Sequence, residues 1–135
     1  MGFLVFATLH TNSAAKTVDR IIDVFPEDQQ NQVRTMLSVT LKGVCAQLLL
    51  PAHDGKGRVP VNEILMGSFG LGNIIREGSV SKIVSLIESG GGEGMQKMDD
   101  AILKRYKDSE ISGETAYLFA TQKQRFEHLR EKLDD

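Results

Sequence analysis

Residues Leu4 to Ala7 form an unbroken apolar run that stops abruptly at Thr8, His10, Thr11, Asn12 and Ser13. A run this short, apolar at every position, fits a strand buried on both faces. A helical pattern begins at once, with Ala14, Val18, Ile21 and Ile22 on one face. A buried strand that turns directly into a helix is the elementary step of an open α/β sheet. In such sheets ligands gather beyond the carboxyl ends of the strands, where helix N-termini present free N–H groups. An imidazole at that place, His10, is a candidate site residue. The same residues also fit a capped strand-to-helix turn, with Asn12 or Ser13 as N-cap and His10 merely hydrogen-bonded. A strand of this kind needs neighbours, which points to an isolated C-terminal fragment of a longer chain with Met1 as an added start.

The helix predicted from about Ser13 to Val24 ends at Phe25-Pro26. Pro26 then opens a second helix, because its fixed φ and missing N–H suit a first turn. Glu27 and Asp28 place negative charge where the helix dipole favours it. Val33, Met36, Leu37, Leu41, Val44 and Leu48 recur at helical spacing and predict a long amphipathic helix. Its end is ambiguous, since Gly43 weakens it and Ala46 to Leu50 could turn extended. Leu48–Pro51, the loop Ala52–Gly57 and Arg58–Leu65 read as strand, loop and strand, with Asp54-Gly55 and Gly57 as turn residues. His53 reads as a solvated loop histidine.

Beyond this point the pattern is helical. Phe69–Glu77 is a short helix closed by Gly78. Ser79 or Ser81 caps a helix over Lys82–Glu88. Gly90–Gly94 is a flexible break. Neither it nor Gly67–Gly72 fits the phosphate-loop pattern G-x-x-x-x-G-K-[ST]. Met95, Met98, Ile102 and Tyr106, with Ala101 and Arg105 alongside, make an amphipathic helix whose methionines read as core. Glu114–Phe119 is a further short helix. Thr121-Gln-Lys-Gln124 reads as a capping box for a last helix carrying Phe126, Leu129 and Leu133, with His128 near the apolar seam.

Composition narrows the function classes. Among 135 residues the formal net charge is −2, so no basic excess argues for nucleic acid. No apolar run approaches the roughly 20 residues of a membrane span, and no secretory signal is visible. The lone Cys45 excludes an internal disulfide or a cysteine zinc cluster, and its apolar setting predicts a buried structural thiol. The expected compartment is a reducing cytoplasm.

The stretch L-V-F-A-T-L-H-T-N-S-A-A-K-T-V-D-R-I-I-D-V-F-P, Leu4 to Pro26, resembles the histidine box and following helix of the secretion and type IV pilus ATPases. More narrowly, it resembles the twitching-motility retraction ATPases, the PilT family. The resemblance continues more weakly through most of the chain. It implies an α/β fold, the C-terminal part of a RecA-like P-loop ATPase domain with a partial sheet, followed by an all-helical segment. The expected division is residues 1–66 for the partial ATPase core and 67–135 for the helices. It implies a cytoplasmic homohexamer peripheral to the inner membrane, using ATP and Mg2+ and working on the type IV pilus machinery. His10 is then the histidine-box residue, beside the γ-phosphate or the acidic boxes of the parent site, with Thr8 and Thr11 as support.

The family's phosphate loop, acidic boxes and phosphate-clamping arginines lie before the histidine box. The chain alone is therefore expected to bind no nucleotide and to be inactive. The family box often has a second histidine where this chain has Phe3. The family motif A-I-R-N-L-I-R-E corresponds to Gly70–Glu77, in which Asn73, Ile75, Arg76 and Glu77 match and the first arginine is Gly72. The resemblance makes those four residues a surface coupling ATP-driven motion to the pilus machinery; residue types alone make them an ordinary helix end. The departure at Gly72 suits an accessory paralogue. Pilus-assembly and type II secretion relatives usually carry a four-cysteine zinc insertion near residues 52–57, and its absence favours the retraction branch. A non-enzymatic helical interaction module is the rival of another class.

Overall fold

The structure, a computed structural model, describes residues 2–131. Met1 and Leu133 lie outside those residues, and with them the expectations placed on both. The order of elements is α1 (Ala14–Asp23), α2 (Glu27–Thr40), β1 (Gly43–Pro51), β2 (Arg58–Met66), α3 (Phe69–Glu77), α4 (Ile83–Ser89), α5 (Met98–Lys107), α6 (Gly113–Phe119) and α7 (Glu127–Glu131). Single 3-10 turns cover Val80–Lys82, Gly91–Glu93 and Lys123–Phe126.

β1 and β2 form an antiparallel hairpin in register from Gly43↔Met66 to Pro51↔Arg58. Gly55 and Gly57 take positive φ in its loop, as the turn requires. Side chains alternate across the strands, so Val44, Leu48, Leu50, Val59, Val61 and Leu65 share one face, and position along the hairpin sorts the two cores. At the far end of the hairpin, Leu50 and Val61 pack with Met98, Ala101, Ile102, Ile111, Ala116, Phe126 and Leu129. At the near end, Leu65 packs with Ala14, Val18, Ile22, Leu71, Ile75, Ile83, Ile87 and Met95. The hairpin is thus the shared wall of both clusters. The methionine stripe is core, as expected, but Met95 precedes α5 and serves one cluster while Met98 serves the other.

The structure departs from several of these expectations. Residues 3–9 form no strand: Phe3 and Phe6 are 89% and 88% exposed. A strand exists through its ladder partners, and the described residues supply none to this run. The second helix stops at Thr40, and Val44 and Leu48 belong to β1, because pairing with β2 outweighs the helical spacing. Cys45 is exposed, since it lies on the outward face of β1 between the inward Val44 and Ala46. Thr121 does not cap a last helix. The backbone N–H groups of Thr121 and Gln122 donate instead to the Asp99 carboxylate, at 2.7 and 2.9 Å, and His128 is exposed rather than on the seam.

Other boundaries follow local chemistry. Ser13, Ser68 and Ser112 are N-caps whose hydroxyls accept from the N–H groups of Lys16, Leu71 and Thr115. Gly78 closes α3 in the left-handed region. Neither Ser79 nor Ser81 makes the expected cap for α4, which instead continues from the 3-10 turn at Val80–Lys82. The Gly90–Gly94 break is a turn whose first glycine packs against the Met95 side chain, which would have to shift to admit a Cβ there.

Asp99 is a buried carboxylate held, among the described residues, by those two backbone donors. Asp99→Ala is expected to cost about 2–3 kcal/mol, because charge-assisted bonds to two amides disappear together. Asp99→Asn, which keeps one acceptor, should cost about half as much. Urea unfolding of both variants checks this; equal midpoints for Asp99→Ala and the unsubstituted protein would contradict it.

Candidate functional site

The residues before α1 turn the chain from the exposed apolar run into the helix. Thr11 closes this turn: its N–H donates to the Leu9 carbonyl at 3.1 Å. Its hydroxyl bonds the Thr17 hydroxyl and lies 3.5 Å from the Ser13 carbonyl. The Thr17 hydroxyl in turn donates to the Ser13 carbonyl at 2.9 Å. Arg20, two turns into α1, reaches back and donates to the His10 carbonyl at 3.0 Å. The loop is therefore fixed through its backbone and its threonines, while the His10 ring stays exposed and, among the described residues, makes no hydrogen bond.

Beside it lies an open cleft of about 460 Å³ lined by His10, Thr11, Asn12, Lys16, Asp19, Arg20, Asp23 and Val24. Two cationic and two anionic side chains face one another across a single helix surface. Burial raises the Asp19 carboxyl above its ordinary range, the Asp23 carboxylate raises it further, and the Arg34 guanidinium opposes both. Such a wall can receive a polar ligand at one edge, beside the exposed His10 ring. Among the described residues no three metal-ligating side chains converge.

The candidate residues do not all meet. His10 and Thr11 line the cleft; Thr8 is exposed and makes no hydrogen bond to either. Lys16, Asp19 and Arg20 escaped the sequence reading, although the i, i+3 and i+4 spacing from Lys16 puts them on the helix face next to the loop.

Asn73, Ile75, Arg76 and Glu77 lie on α3. Ile75 is fully buried in the near-end core. Arg76 donates to the Asn73 side-chain oxygen and, at 3.3 Å, to the Ser38 hydroxyl of α2. Glu77 is exposed and 3.9 Å from Lys82. Three of the four thus hold helices or core together, and Glu77 faces outward. Gly72 sits at the closest approach of α3 to α2: a Cβ there would stand 2.8 Å from the Ser38 carbonyl oxygen. Gly72→Ala should therefore destabilise the protein by about 1–2 kcal/mol, overpacking outweighing the gain in helix propensity. A denaturation midpoint equal to or above that of the unsubstituted protein would contradict this packing.

Comparison with known proteins adds the decisive observation. No family model matches the chain. It is 47% identical over 115 residues to a twitching motility protein of Neisseria gonorrhoeae, an alignment covering 85% of this chain and 31% of that protein. It is 45% identical over 115 residues to the type IV pilus retraction ATPase PilT of Pseudomonas aeruginosa, covering 85% and 33%. The structure superposes on the pilus retraction motor PilT, solved with bound ADP, with a TM-score of 0.78, 39% identity and coverage of 93% and 34%.

The chain is similar to the PilT proteins over 85% of its length. It spans about a third of the length of the curated relatives it matches. The fold of the ATPase DotB of Legionella pneumophila is also shared, at a TM-score of 0.65 and 22% identity, which speaks to architecture alone. The mixed architecture, a small hairpin with helices packed on one face, is shared with part of the solved PilT structure.

Proposed function

We propose that this chain is the C-terminal part of a motor ATPase that powers type IV pilus retraction, the reading supported above all by its similarity to the retraction ATPase PilT over 85% of its length. In this reading residues 1–66 complete a RecA-like core, and residues 67–135 are its helical extension. The whole protein is a cytoplasmic homohexamer docked on the inner-membrane pilus machinery. His10 serves the nucleotide site from the strand-to-helix loop, with Thr11 setting the shape of the turn and Thr8 flanking it. The exposed apolar run at Phe3–Phe6 supports this, because it has the character of a strand awaiting a sheet.

The residues of this chain do not compose a nucleotide site by themselves. A phosphate-binding loop with its lysine is missing from the sequence, and the cleft offers a mixed-charge wall rather than a cradle of backbone amides. In this reading the part of the protein outside this chain brings the phosphate loop and the metal, and the chain alone is inactive. What this chain contributes is an imidazole held at the edge of the cleft by a rigid turn. A group so placed can order a water or stabilise developing charge.

ATP hydrolysis by the full-length protein and twitching of a strain lacking it test this reading together. The expected result is turnover in the first and lost surface spreading in the second. A full-length protein that neither binds nor hydrolyses ATP would contradict the proposal.

A further inference from the structure

Glu63 lies on β2, half-buried, and its two carboxylate oxygens go to different helices. Oε1 accepts from the N–H of Ala14 at 2.9 Å, and Oε2 accepts from the N–H of Met98 at 3.2 Å. Ala14 and Met98 are the first residues of α1 and α5. The first N–H groups of a helix have no partner inside it, and each helix end carries partial positive charge. One carboxylate therefore answers both helix starts at once. α5 brings no capping side chain of its own, and Ser13 at the start of α1 serves Lys16 rather than Ala14. Near Glu63 the hairpin also makes a bridge from Ile64 to Gln96, with N–H to carbonyl bonds of 2.9 and 3.1 Å. The Gln96 amide donates to the Asn62 carbonyl at 2.7 Å. The approach to α5 is thus firmly tied to β2, whereas the approach to α1, residues 2–12, is exposed over most of its length.

We infer that Glu63 is a positioning residue: by clamping the starts of α1 and α5 to β2, it sets where the His10 loop stands relative to the rest of the domain. The inference rests on the proposed role of His10. Ala14 is four residues past His10, with Ser13 and the Thr11–Thr17 bond making the intervening turn stiff. A movement at Ala14 is therefore passed to the imidazole. Displacement of a site group by about 1 Å can cost around a hundredfold in rate while leaving ligand affinity alone. Glutamine at this position keeps the size and one acceptor. It replaces the other acceptor with a donor that faces a backbone N–H, so one helix start is released.

The test is Glu63→Gln in the full-length protein, read by ATP turnover, thermal unfolding and amide exchange at Ala14 and Met98. The expected result is a kcat lowered about tenfold, a KM for ATP within about twofold of the unsubstituted protein, and faster exchange at one or both amides. Glu63→Asp, too short by a methylene to span both helices, should lower kcat in the same way. Unchanged exchange at both amides overturns the clamp. Unchanged kcat with faster exchange overturns its positioning role, as does a loss of activity that merely follows the fraction unfolded. If the unsubstituted full-length protein shows no turnover, the ATPase reading fails and the positioning role with it, while amide exchange still decides whether Glu63 holds the two helices.

Discussion

Truncating Phe126 to alanine is expected to lower the unfolding free energy by about 3–5 kcal/mol, the largest stability effect of any single substitution proposed for this protein. Phe126 is fully buried and is the largest such side chain. It stands where the hairpin's far end, α5, α6 and α7 meet, among Leu50, Val61, Ile102, Ile111 and Leu129. Two terms add: lost transfer of an aromatic ring out of water, and a cavity that rigid neighbours on several elements cannot collapse to fill. Phe69 provides the control. It is 83% exposed at the start of α3, so Phe69→Ala should change stability by no more than about 0.5 kcal/mol. Urea unfolding of both variants checks the contrast. A cost below about 1 kcal/mol for Phe126→Ala would mean that the C-terminal turn does not complete this core.

Much of the fold was legible where punctuation is local. α3 runs between Ser68 and Gly78 as expected, and the hairpin follows from Asp54-Gly55 and Gly57 between apolar strands. Each of these depends on chemistry within a few residues. The misreadings share the opposite property. Whether Val44 to Leu50 is helix or strand is decided by its pairing with β2, from Val44↔Leu65 to Leu50↔Val59, through a ladder that a single strand does not announce. The true acceptor for the Thr121 and Gln122 amides is Asp99, separated from them by 22 and 23 residues, so a capping box read from adjacent residues misassigned it. The exposure of Cys45 follows once the strand is granted, because period-two alternation turns it outward.

The candidate site was legible in part for the same reason. His10 and the Ser13 cap sit in one short stretch and could be placed by pattern. The Arg20 contact to the His10 carbonyl and the Glu63 contact to Ala14 are tertiary, and no residue near His10 hints at the second. In α3 the matching letters Asn73 and Arg76 concealed a packing role, since their bonds run to each other and to Ser38. Gly72 is a contact point between α3 and α2.

The second large effect is expected at His10. Its ring is exposed, and its backbone is held by Arg20 and the neighbouring threonine turn, so removing the imidazole leaves the loop's own hydrogen bonds in place. His10→Ala should therefore leave unfolding free energy within about 0.5 kcal/mol. On the proposed reading its effect falls on chemistry: loss of a group at the reacting centre typically costs about a hundredfold or more in kcat. KM for ATP should move little, because this chain contributes no phosphate loop and the bulk of nucleotide affinity lies elsewhere. ATP turnover by the full-length protein and its His10→Ala variant, at matched stability, is the most direct measurement. The account predicts a kcat lowered about a hundredfold with KM within about threefold. Equal turnover in the two proteins would contradict it and return His10 to an ordinary turn residue.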